Sequence, residues 1–148
     1  MSYKLETTAL ISKDNYNAFR IRCIMLILGK LMKEIESFVS KLLTNVPELS
    51  ETYEETIKYW EKNPPILLLL ADLGRELARL KDINENSLKS ILDLVELEIL
   101  SENEKISTAF ATGFLEAFYF EVERQLRQDK IYQLLGENSK NHVNWSPI

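Results

Sequence analysis

No stretch of this sequence alternates apolar and polar residues for long enough to form a β-strand. Apolar residues recur instead at spacings of three and four over most of its length. Such a chain buries its apolar surface as stripes along helices, so the expected fold is all-α. The pattern predicts a single-domain bundle over 1–148, with five or six helices, two of them long. Four glycines and four prolines in 148 residues leave few interior breaks. A chain of this length buries roughly 68–70% of its unfolded surface on folding, without help from a metal or a disulfide. One cysteine excludes an internal disulfide, and one Cys with one His excludes a zinc site built from those residues.

Asp14 is placed to cap a long helix over about 15–45, which carries Phe19, Cys23, Leu26, Ile27, Met32, Ile35, Phe38, Val39 and Leu42. From Ile21 to Met32 it is apolar on most sides and belongs at the centre of the bundle. Pro47 ends it. Thr52 and Glu55 have capping-box spacing for the next segment, which stops at Asn63-Pro64-Pro65. Pro65 suits the first turn of a helix running to about Lys81. Gly74 inside that helix costs about 1 kcal/mol relative to Ala and implies close packing against a neighbour. Ser87 is expected to cap a helix to about Leu100. Ser101 with Glu104 would open a second long helix over about 102–135, stopped by Gly136. Residues 1–13 and 137–148 are expected as loosely packed terminal segments.

The inventory for chemistry is thin. Cys23 lies among Ile21, Ile24, Met25 and Leu26, an apolar setting that suits a buried thiol rather than a reactive thiolate. His142 has no partner fixed by spacing, and as the only histidine it excludes two-histidine metal helices. The four glycines are scattered singly, so no phosphate-cradling loop exists. Glu54/Glu55 and Glu121/Glu123 read as solvated surface acids. Glu116 differs, because it stands between Leu115 and Ala117 in an aromatic-rich run. It is expected at the core boundary, paired with Arg20, Arg22, Arg75 or Arg79. The expectation is therefore a non-enzymatic protein with no catalytic residue, no metal ligand and no cofactor. With no export signal or span of roughly 18 apolar residues, the expected compartment is the cytoplasm.

Charge is distributed unevenly. Between Asp82 and Glu104 stand Asp82, Glu85, Asp93, Glu96, Glu98, Glu102 and Glu104 against Lys89 alone, a local net charge of −6 in a chain of net −5. The stretch 20–41 leans the other way, with Arg20, Arg22, Lys30, Lys33 and Lys41 against Glu34 and Glu36. On a helical wheel Leu88, Leu92, Val95 and Ile99 fall within about 60° of one another, with Ile91 beside them. Leu94, Leu97 and Leu100 fall on the other side, next to Asp93 and Glu96. That second face is either sandwiched within the bundle or a docking surface for a basic partner. Acidity opposes direct nucleic-acid binding, which needs Lys and Arg to displace counterions. It equally opposes docking on a membrane, for which a basic polar face is needed.

The stretch Ala109-Phe110-Ala111-Thr112-Gly113-Phe114-Leu115-Glu116, followed by Leu134-Leu135-Gly136-Glu137-Asn138-Ser139 and Trp145, resembles small helical bacterial proteins encoded beside polymorphic toxins. The resemblance implies an immunity-type protein that binds and neutralises a cognate toxin domain. A basic nuclease is the partner that the acidic surface would suit. The expected contact residues are Glu85, Asp93, Glu96, Glu98, Glu102 and Glu104, with Leu97 and Leu100 as apolar anchors. The alternative is a helical regulatory or scaffold module that self-associates as a homodimer.

Overall fold

A computed structural model describes residues 33–62 and 64–145. Phe38–Ile148 forms one compact unit, distinct from Met1–Ser37, and the packing below is that of the former. Asp14, Arg20, Arg22, Cys23 and the stretch Ile21–Met32 lie outside the described residues. No strand occurs among the described residues, and the architecture is all-α.

Residues 33–45 are helical and form α1. A 3-10 turn, Pro47–Leu49, leads into α2, Ser50–Tyr59. Next come α3, Ile66–Arg79, and α4, Glu85–Ile99. The chain then runs through α5, Glu104–Thr108, a π-helical segment, Ala109–Leu115, and α6, Glu116–Arg124. The short α7, Gln128–Tyr132, and α8, Glu137–Trp145, complete the order. The expected count of five or six is too low, because the segment read as one helix over 102–135 breaks into several.

Leu126 marks the first break, in the left-handed region at φ 60°. The Leu126 N–H reaches the Glu123 carbonyl at 2.9 Å and the Arg127 N–H reaches that of Val122 at 3.0 Å, closing α6 without a glycine. Arg127 Nη1 then donates to the Ala78 carbonyl at 2.8 Å, at the last turn of α3. Residues 137–145 are likewise no loose tail, since they form α8 with Ser139 1% exposed.

Three of the expected caps move. α2 has no side-chain cap at all, because the 3-10 turn runs straight into it and Leu49 is already helical. Thr52 sits inside the helix. For α4 the cap is Asn84 rather than Ser87, its side chain accepting from the amides of Asn86 and Ser87 at 2.7 and 3.3 Å. Asn103 rather than Ser101 caps α5, accepting from Lys105 and Ile106 at 3.0 and 3.3 Å.

The core gathers on α3 and the π-helical segment, against which Phe38 of α1 and the apolar stripes of α4 and α6 pack, with α2 lying against α3. Leu69, Leu70, Leu73 and Leu77 of α3 are all at most 1% exposed. Phe38 meets Phe110 edge-on at 4.7 Å and Phe114 at 5.4 Å, and Phe114 stacks with Phe118 at 6.5 Å. Gly74 packs closely as its position implied, since a Cβ there would strike the Phe114 backbone carbonyl.

Candidate functional site

The acidic block folds as α4 and the turn into α5. Leu88, Ile91, Leu92 and Val95 form its buried stripe, between 0 and 3% exposed. The opposite side is open, with Leu97 64% and Leu100 55% exposed. Asp93, Leu97 and Leu100, spaced four and seven residues apart, lie along one flank of the helix. Asp93 pairs with Lys89 one turn earlier on the exposed surface. Glu102 and Glu104 are exposed beyond the C-terminus of α4, Glu104 in the first turn of α5. Glu85 is exposed at the other end of α4, its carboxylate 3.9 Å from Lys130 Nζ. Glu98 is half-buried. Six of the eight expected contact residues are thus exposed on α4 or the turn into α5, and Glu98 lies half-buried among them.

Glu96 is the exception. Its Oε2 accepts from the Asn138 amide at 2.9 Å and from Asn138 Nδ2 at 2.8 Å. Its Oε1 accepts from the Ser139 amide at 2.9 Å and from Ser139 Oγ at 2.8 Å. The Gly136 carbonyl takes the first helical bond of α8, from Lys140 at 2.9 Å, so Gly136 occupies the capping position. Glycine has no side chain to cap with, and Glu96 supplies the missing oxygens from another helix. Gly136 is thus no helix stop: a Cβ there would strike the Glu96 carboxylate. Burial raises the Glu96 pKa, but the bonds from Asn138 and Ser139 outweigh it and hold the carboxyl below its ordinary value. Glu96 is occupied inside the fold.

Two further carboxylates trade their expected places. Glu116 is 44% exposed in its side chain, and its Oε2 lies 2.7 Å from Nε2 of His142, tying α6 to α8. It pairs with neither Arg75 nor Arg79. The buried acid is Glu121, 3% exposed, which accepts from Arg124 Nη2 at 2.6 Å and Gln125 Nε2 at 3.2 Å. Arg79 Nη2 stands 3.7 Å from its Oε1. The Arg124 hydrogen bond leads the effects that hold the Glu121 carboxyl below its usual range. Its signal was legible: Glu121 continues the Phe114–Phe118 stripe, and donors at positions three and four further on can satisfy it.

A groove of about 460 Å³ runs beside the π-helical segment, lined among others by Arg75, Thr112, Glu116, Tyr119, Phe120 and Val143. Burial and then the charge of Glu123 push the Tyr119 hydroxyl up, so it retains its proton. Among the described residues no group of three His, Cys, Asp or Glu side chains could hold a metal ion. No helix among them is long and apolar enough to cross a membrane. Chemically, the α4 flank offers apolar contact area with the exposed carboxylate of Asp93 on the same flank and those of Glu102 and Glu104 in the turn beyond it.

Residues 39–145 match the family described as a domain of unknown function, DUF7674, and the chain belongs to that family. No curated protein and no solved structure matches it.

Proposed function

We propose that this member of a domain family without an assigned activity is a binding protein of the immunity type. In this reading it neutralises a basic toxin domain by direct contact through α4. The supporting observation is that Leu97 and Leu100 stand 64% and 55% exposed beside the Asp93 carboxylate. Exposed leucines supply burial on association, while a surrounding acidic rim steers a basic partner and fixes register. Asp93, Leu97, Leu100, Glu102 and Glu104 form the contact set, with Glu85 and Glu98 at its margins. Glu96 leaves the set because its four acceptor bonds hold α8. A cytoplasmic site of action, no cofactor and no catalytic step belong to the same proposal.

The test begins with the neighbouring gene. A short basic C-terminal domain encoded there should be toxic when expressed alone and harmless with this protein. Leu97→Asp with Leu100→Asp should abolish protection while the helical circular dichroism and melting temperature stay unchanged. Protection that survives this double substitution would sink the reading. The same two leucines support homodimerisation as a second reading. Sedimentation showing a dimer that the double substitution dissociates would replace the first reading by the second.

A further inference from the structure

A second surface, made by α2 and α3, has a different chemistry from the α4 flank. Tyr59 and Trp60 close α2, their rings 5.3 Å apart at 77° to one another. Tyr59 is 78% and Trp60 37% exposed. Two large aromatic side chains held in a corner and left open to water are costly unless something covers them. The backbone beyond them is strained, with Glu61 at φ 52° and Lys62 at φ 69°, both non-glycine residues in the left-handed region. The Lys62 amide bonds back to the Ile57 carbonyl at 2.8 Å and fixes the end of the helix under the rings.

The corner opens on a cleft of about 410 Å³ lined by Glu55, Thr56, Tyr59, Trp60, Leu68 and Asp72. Among the described lining residues there are two carboxylates and two aromatic rings but no lysine or arginine. Asp72 is shared, accepting from Thr56 Oγ1 at 3.2 Å and from Arg75 Nη1 at 3.1 Å. Glu55, one turn before Tyr59, is exposed and pairs with no cation among the described residues. The cleft therefore presents π faces, a free negative charge and a half-neutralised one.

We propose that this cleft binds the guanidinium group of an arginine side chain on a basic protein partner. A cation near the face of Trp or Tyr is attracted by the ring quadrupole. A guanidinium is planar, so it stacks on one ring while its edge donates to a carboxylate. The ammonium of lysine cannot stack in this way, and a quaternary ammonium has no proton to give Glu55. The site stands on other elements and other side chains than α4, so either surface can fail without the other.

The probe is a five-residue arginine-containing peptide, titrated into the full chain carrying Trp145→Phe, which leaves Trp60 as the only tryptophan. Saturable change in Trp60 fluorescence is expected, weakened at least about five-fold by Glu55→Gln and abolished by Tyr59→Ala. Asp93→Lys with Glu104→Lys should leave the titration unchanged, which separates this cleft from the α4 flank. The lysine counterpart of the peptide and tetramethylammonium should each bind at least about five-fold more weakly. Equal or tighter binding of either would overturn the guanidinium assignment, and an absence of saturable change with the arginine peptide would overturn the site. Because Glu55 and Tyr59 are exposed, both variants are expected to fold; a changed melting temperature with unchanged peptide affinity would also count against the site.

Discussion

A single carboxylate can either meet a partner or hold the fold, and Glu96 does the second. Four acceptor bonds to residues 138 and 139 place its negative charge at the positive end of α8. Removing such a cap costs about 0.5–2 kcal/mol. Glu96→Ala should lower stability by that order, measured by urea unfolding at pH 7. The pH dependence has a definite sign. The folded carboxyl titrates below its ordinary value, so its contribution is complete above that ordinary value and fades as pH falls through the lowered one. The melting temperatures of the wild type and Glu96→Gln should therefore differ at pH 7 and converge in acid. Gly136→Ala should act through the same contact, because the added Cβ displaces the Glu96 carboxylate. Combined with Glu96→Ala it should cost little beyond Glu96→Ala alone, a non-additivity that a double-mutant cycle reads directly. Fully additive losses would mean that the two residues act independently.

Helix interiors were legible where their stripes were regular, and helix ends were not. The buried set of α4 falls where the wheel put it, because Leu88, Leu92 and Val95 repeat at three and four. The long C-terminal segment misled because nothing between Gln125 and Arg127 is a glycine or a proline. That break rests on Arg127 reaching the Ala78 carbonyl 49 residues away, a contact no local pattern announces. It forces Leu126, 84% exposed, into a left-handed conformation that non-glycine residues adopt at a cost. Leu126→Gly relieves that strain while giving up almost no burial. It should stabilise the protein by about 0.5–1 kcal/mol, net of the extra freedom glycine gains when unfolded. A loss of stability in urea unfolding would show that the turn is not strained.

The whole molecule carries its acidity as a localised feature. In the proposed complex Asp93 and Glu104 act mainly on the rate of encounter. Reversing both to lysine should slow association with the basic domain at least about ten-fold at low salt. The wild-type association rate should itself fall as ionic strength rises and the screening length shrinks to about 8 Å at physiological salt. Both substitutions are at the surface, so stability should change by no more than about 0.5 kcal/mol. Stopped-flow association at several salt concentrations checks both effects, and an unchanged rate would remove the acidic flank from the interface.

The sequence by itself determined the helical class, the stripe that α4 buries and the acidity of the 82–104 block. These follow from side-chain type and spacing of three or four, which act within one helix and need no knowledge of its neighbours. Only the tertiary structure decided which carboxylates are free to meet a partner. Glu96, Glu116 and Glu121 look alike as residues, yet one caps α8, one ties α6 to His142 and one is buried among arginines. A carboxylate goes where donors and space are found, and those donors arrive from helices folded elsewhere in the chain.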